Sequence, residues 1–161
     1  MTNRALVDQI TELVDQAQLT VAVAESLTGG MVSSALAEAP GASNWFRGAV
    51  VAYAGDVKHQ LLGVPDGPVV CAPAAEAMAS GVRRLLEADV AIALTGAGGP
   101  DSQDGQPPGT VFFGLSDGKQ SQVEHRYFDC DDPAQVCAAA VTEALALLYA
   151  FLRTGAAPRC D

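Results

Sequence analysis

Positive charge is what this chain has least of. Nine Lys and Arg stand against nineteen Asp and Glu, a formal net charge of −10 over 161 residues, and the pI is near 4.4. A surface this acidic does not wrap a nucleic-acid backbone or lie on an anionic membrane, so neither is an expected partner. One small anion held at one local site remains compatible with it. Histidine is scarce as well, with two copies, and the four cysteines Cys71, Cys130, Cys137 and Cys160 form no Cys-x-x-Cys pair. No four-ligand zinc pattern emerges, no metal or other cofactor is expected, and reduced thiols in a cytoplasmic protein are the simplest reading. Apolar stretches break off well short of the roughly 20 residues that span a bilayer. Residues 1–18 carry acids and no apolar block, unlike a signal peptide.

The chain does have hydrophobic mass. A content of 49% hydrophobic and 17% charged residues suits one compact domain over residues 1–161. Leu6, Ile10, Leu13, Val14 and Ala17 share one helical face, which predicts a helix over 3–17. Short apolar runs at 19–24, 46–54 and 89–94 read as buried strands. Helices are expected over 28–38, 56–62 and 73–87, the first stopped by Pro40-Gly41. Residues 95–109 form the longest loop, and loops of that length in compact domains usually carry function or disorder. A hairpin through Asp117-Gly118 joins strands at 110–115 and 120–128. Pro133 opens a last helix, and 154–161 reads as a frayed tail. Strands that alternate with helices and are apolar on both faces predict a three-layer α/β/α sandwich with a mixed, mostly parallel sheet.

Ligands bind such sheets at the carboxyl ends of the strands. Three polar clusters follow three apolar strands: Ser26 to Gly30, Tyr53 to Lys58, and Thr95 to Pro100. If the strands are parallel neighbours, the clusters share one edge. In the first, a strand delivers the Ser26 hydroxyl to the turn Thr28-Gly29-Gly30, whose free N–H groups suit an anion or a developing oxyanion; equally, Ser26 or Thr28 simply caps a helix. Glu25 either takes a hydrogen bond from a substrate or faces a neighbouring helix. Lys58, one of two lysines, serves as base to a serine if burial strips its proton, with the Tyr53 hydroxyl relaying a proton or orienting it; the competing reading is a solvated helix residue. His59 and His125 read as surface histidines. The glycines Gly96, Gly98 and Gly99 let backbone approach a ligand closely after Thr95, or make a tight connector.

Together, Ala24-Glu25-Ser26-Leu27-Thr28-Gly29-Gly30, Trp45-Phe46-Arg47-Gly48, Tyr53 through Lys58, Leu61-Leu62-Gly63-Val64, Thr95 through Pro100 and Pro107-Pro108-Gly109-Thr110-Val111 resemble the CinA C-terminal domain family in order and content. The resemblance implies an enzyme that hydrolyses the carboxamide of nicotinamide mononucleotide without a metal. It implies Ser26 as nucleophile, Lys58 as base and Tyr53 as assistant. Thr28, Gly29, Gly30, Thr95, Gly96, Gly98 and Gly99 would contact the pyridine nucleotide, and a homodimer would be the assembly. The chain departs from the family where basic residues usually flank the start of the last helix, since Asp132, Val136 and Cys137 stand there, and where Gln106 replaces a frequent lysine. An acid in that place repels a phosphate. The same fold acting on another amide, or a non-catalytic nucleotide-binding or interaction protein, are the alternatives.

Overall fold

The computed structural model describes residues 1–155. One five-stranded sheet in the order β2-β1-β3-β4-β5 organises the chain. Its strands are β1 (Val21–Glu25), β2 (Phe46–Val51), β3 (Val90–Gly96), β4 (Thr110–Ser116) and β5 (Ser121–Tyr127). β1 pairs in parallel with β2 and β3, whereas β4 runs antiparallel to both β3 and β5, so only β4 opposes the common direction. Helices α1 (Asn3–Ala17), α2 (Met31–Ala37) and α5 (Pro133–Gly155) cover one face, and α3 (Gly55–Leu62) and α4 (Ala72–Leu85) the other. The three layers are those that the apolar pattern predicts.

Local chemistry sets the ends of these elements. Thr2 caps α1 by accepting from the Ala5 N–H at 3.2 Å, and Asp132 accepts from the Ala134 N–H at 3.0 Å where α5 begins. The second helix starts three residues later than the sequence suggests. Gly29 and Gly30 adopt φ of 58° and 107°, a left-handed turn that helical geometry cannot absorb. The first, third and fourth strands run a residue or two past their predicted ends, so Thr95 and Gly96 belong to β3 and not to the loop. Helix α5 continues through Thr154 to Gly155. The remainder of the expected tail, with Cys160, lies outside the described residues. By length and mean hydropathy, 1.7, α5 is apolar enough to cross a membrane, contrary to the reading of short apolar runs. Its stripe Val136, Ala140, Ala144, Leu148 and Phe151 is instead buried in the core shared with α1 and the sheet.

The two faces of the sheet differ in side-chain size. Along β1 and β3, Val21, Val23, Val90, Ile92 and Leu94 point toward α1, α2 and α5, while Ala22, Ala24, Ala91 and Ala93 point toward α4. The alternation is the two-residue period of a strand. Ala24, Ala93 and Gly114 stand in register across three strands, so α4 settles almost onto backbone. A Cβ at Gly114 would collide with the Ala75 carbonyl of α4. Gly114→Ala, ordinarily a benign change in a strand, is therefore expected to destabilise the fold by about 1–3 kcal/mol. Urea unfolding reads this directly, and an unchanged or raised midpoint would contradict the close approach.

Candidate active site at the carboxyl edge of the sheet

The parallel strands β1, β2 and β3 end at the same edge, and the three polar clusters gather there. Ser26 follows β1 and is 6% exposed. Its Oγ makes no hydrogen bond among the described residues, and it is not among the polar atoms sealed from solvent without a partner. Gly98 brings the long loop to within 3.7 Å of the Leu27 side chain for an added Cβ. The Thr95 and Ser26 segments are thereby neighbours.

Lys58 lies in α3 and is 2% exposed, a buried amine without an ion-pair partner among the described residues. Its Nζ donates to the Tyr53 carbonyl at 3.1 Å. Burial holds its pKa below the ordinary lysine value, partly offset by the Asp104 carboxylate nearby. The solvated-helix reading of this residue does not survive. No hydrogen bond joins Lys58 Nζ to Ser26 Oγ; the amine is turned to the Tyr53 carbonyl.

Tyr53 contributes differently from expectation. The residue is 72% exposed, and its backbone carbonyl, not its hydroxyl, orients the lysine. A chain leaving the sheet edge between β2 and α3 points its large side chain to solvent when the inner space holds Lys58. The Thr95 hydroxyl donates to the Val69 carbonyl at 2.6 Å and is fully buried. It fastens the 69–70 segment to β3, and its proton is not free for a substrate or for Ser26. Gly96 is required by packing, since a Cβ there would stand 2.8 Å from the Thr110 carbonyl oxygen.

The start of α2 also departs from expectation. Glu25, fully buried, accepts from the Val32 N–H at 2.9 Å, the Ser33 N–H at 2.9 Å, the Thr28 hydroxyl at 2.7 Å and the Ser33 hydroxyl. An internal carboxylate thus satisfies the helix donors that an anion would have used. Neither Ser26 nor Thr28 caps the helix, whose N-cap is Gly30 without a side-chain bond. Of the two readings of Glu25, it takes the one facing a neighbouring helix. The N–H groups of Leu27 and Thr28 are engaged by no hydrogen bond among the described residues.

Asp104 is the residue that sequence reasoning missed. Its Oδ2 accepts from the Val69 and Val70 N–H groups at 2.8 and 2.9 Å, pinning the long loop beside Lys58. The only local signal was an Asp-Gly pair at a turn, where Asp104 takes φ of 52°. At the start of α5, Asp132 caps the helix, and the Cys137 thiol, its pKa raised by burial, donates to the Leu27 carbonyl at 3.3 Å. Arg126 is paired with Glu124 and Glu143. Arg47, at the opposite edge, donates to the Leu86 carbonyl. Neither replaces the missing basic residues. His59 Nδ1 contacts the Val64 carbonyl at 3.0 Å and His125 stacks on Phe112.

Comparison with known proteins bears on the whole fold. The sequence profile of the CinA C-terminal domain matches residues 3–152. A CinA-like protein of Syntrophus aciditrophicus is 38% identical over 156 residues, covering 93% of this chain and 37% of its own length. The chain thus spans little more than a third of the curated relatives it matches. The crystal structure of competence damage-inducible protein A from Klebsiella pneumoniae superposes with a TM-score of 0.90 at 29% identity, over 95% of this chain and 98% of that one. A CinA superfamily protein from Escherichia coli gives 0.88 at 33% identity, over 92% and 90%.

Proposed function

The chain belongs to the CinA C-terminal domain family, and on that footing we propose that it is a metal-independent amidohydrolase converting nicotinamide mononucleotide to nicotinate mononucleotide and ammonia. The observation that carries this reading is a buried Lys58, its pKa lowered by burial, at the same sheet edge as the unengaged Ser26 hydroxyl. Ser26 Oγ attacks the carboxamide carbon while the neutral Lys58 amine takes its proton. The oxyanion turns to the N–H groups of Leu27 and Thr28. Lys58 passes the proton to the departing nitrogen, and ammonia leaves an acyl ester on Ser26. Water, deprotonated by Lys58, cleaves the ester and restores the serine. Tyr53 assists by holding the lysine through its carbonyl. Gly29, Gly30, Gly98 and Gly99 shape the walls for the nucleotide. Release of ammonia from nicotinamide mononucleotide by purified protein tests the reading, and no release at high enzyme concentration would end it.

A second reading keeps the reaction and drops the phosphate. Asp132 stands where a phosphate-binding cation would sit, and its carboxylate adds negative charge. Faster turnover of the riboside than of the mononucleotide would select this reading.

The lysine gives a pH signature with a definite sign. Activity requires the neutral amine, so kcat/KM rises with pH up to an apparent pKa below that of a free lysine. Asp104 raises that pKa. Asp104→Asn keeps an oxygen for the Val69 and Val70 N–H groups and removes the charge, so the acidic limb is expected to move to lower pH. A limb that stays put or moves upward would show that Asp104 does not act on Lys58.

A further inference from the structure

The amino edge of the sheet, opposite Ser26, holds a cavity of about 700 Å³. That is the size of a small-molecule site. Its lining includes apolar surface from Leu13, Ala17 and Leu19, none of them fully buried. It also includes Arg83, Lys119 and Arg153, a third of the nine basic residues in a strongly acidic chain. None of the three has a carboxylate within 4.0 Å among the described residues. Two acids, Asp89 and Asp117, also border the cavity, so the three cations outnumber the acids by one. Asp89 accepts from the Thr20 N–H and hydroxyl at 2.9 and 3.0 Å. Asp117 accepts from the Lys119 and Gln120 N–H groups at 2.8 Å.

Attraction to helix carboxyl ends accounts for Arg83 in the last turn of α4 and Arg153 in that of α5. It does not account for Lys119, which sits in the hairpin turn between β4 and β5. Nor does it explain Arg83 Nε, which is buried with no hydrogen-bond partner among the described residues, while Nη1 donates to the Ala88 carbonyl at 3.4 Å. A guanidinium N–H stripped of water and left unpaired costs stability unless a ligand completes it. Arg83 is held in place by contact with Gly118, whose missing side chain leaves room for the guanidinium: an added Cβ would lie 2.7 Å from Arg83 Cζ.

From the three cations without a salt bridge among the described residues, the orphaned N–H and the apolar lining, we infer that this cavity is a second ligand site, separate from the Ser26 edge. Its ligand class is a small organic anion, with a phosphate or carboxylate head for Arg83, Lys119 and Arg153 and an apolar or aromatic body for the Leu13, Ala17 and Leu19 side. The inference does not depend on the amidohydrolase reading, because binding is measured without turnover.

Phenyl phosphate serves as the probe on the full 161-residue chain, with phenol and inorganic phosphate as half-probes, followed by calorimetry and by amide resonances. Phenyl phosphate is expected to shift the amides of Val90, Gly118 and Lys119, and to bind more tightly than either half-probe. Its binding should weaken by about tenfold in Arg83→Gln and fall as salt rises. Lys119→Gln and Arg153→Gln, at exposed positions, carry the same test if Arg83→Gln does not fold. The inference is overturned if the shifts are confined to the Ser26 edge, if the substitutions leave affinity unchanged, or if the chain binds no probe.

Discussion

Lys58→Ala is expected to lower kcat/KM for carboxamide hydrolysis by about 10³-fold, in line with the loss of a general base. Ser26→Ala should cost more, on the order of 10⁴-fold or beyond, since the covalent path disappears with the nucleophile. The two act as one unit, so the double variant should be no slower than Ser26→Ala alone. Lys58 is buried with its amine hydrogen-bonded, among the described residues, only to the Tyr53 carbonyl, and truncation leaves a cavity as well as a missing base. Lys58→Met fills that space without a proton acceptor. If Lys58→Met keeps wild-type turnover, the amine is structural and the proposed chemistry fails.

The largest stability loss is expected at Glu25. Removal of its carboxylate in Glu25→Ala leaves the Val32 and Ser33 N–H groups and the Thr28 and Ser33 hydroxyls without their acceptor. Breaking a buried charged network by deleting one partner costs about 3–5 kcal/mol, a large share of a typical domain's stability of roughly 5–15 kcal/mol. Even Glu25→Gln should destabilise, because one amide oxygen replaces two acceptors and the new NH₂ faces N–H groups. Urea denaturation measures both, and a loss under about 1 kcal/mol for Glu25→Ala would mean the first turn of α2 finds other partners. Turnover should fall alongside, since Glu25 anchors the turn that carries Ser26.

The layers, the strand directions and the edge shared by the clusters were legible because they follow from burial, which a sequence displays as periodicity. Val21, Ala22, Val23 and Ala24 declare a two-sided buried strand on their own. What stayed hidden depends on where side chains point and on distant partners. Asp104 meets Val69 and Val70 across 35 and 34 residues, and nothing local encodes that contact. Residue type points to a hydroxyl role for Tyr53, yet the backbone carbonyl that any residue supplies holds the lysine. The helix start at α2 was misplaced because Glu25, inside the preceding strand, does the work ordinarily given to a cap residue. Two glycines in the turn were the available warning.

The unequal faces of the sheet set how this protein can change over time. Where Val and Ile meet three helices, rotamers can readjust and exchange among aliphatic residues is forgiving. On the alanine side, α4 rests against peptide groups, and backbone offers no rotamers with which to make way. Neighbouring codons along one strand should therefore drift at alternating speeds, free and frozen by turns. Variants sampled under selection would show that rhythm on β1 and β3 even where every position is equally hidden from water.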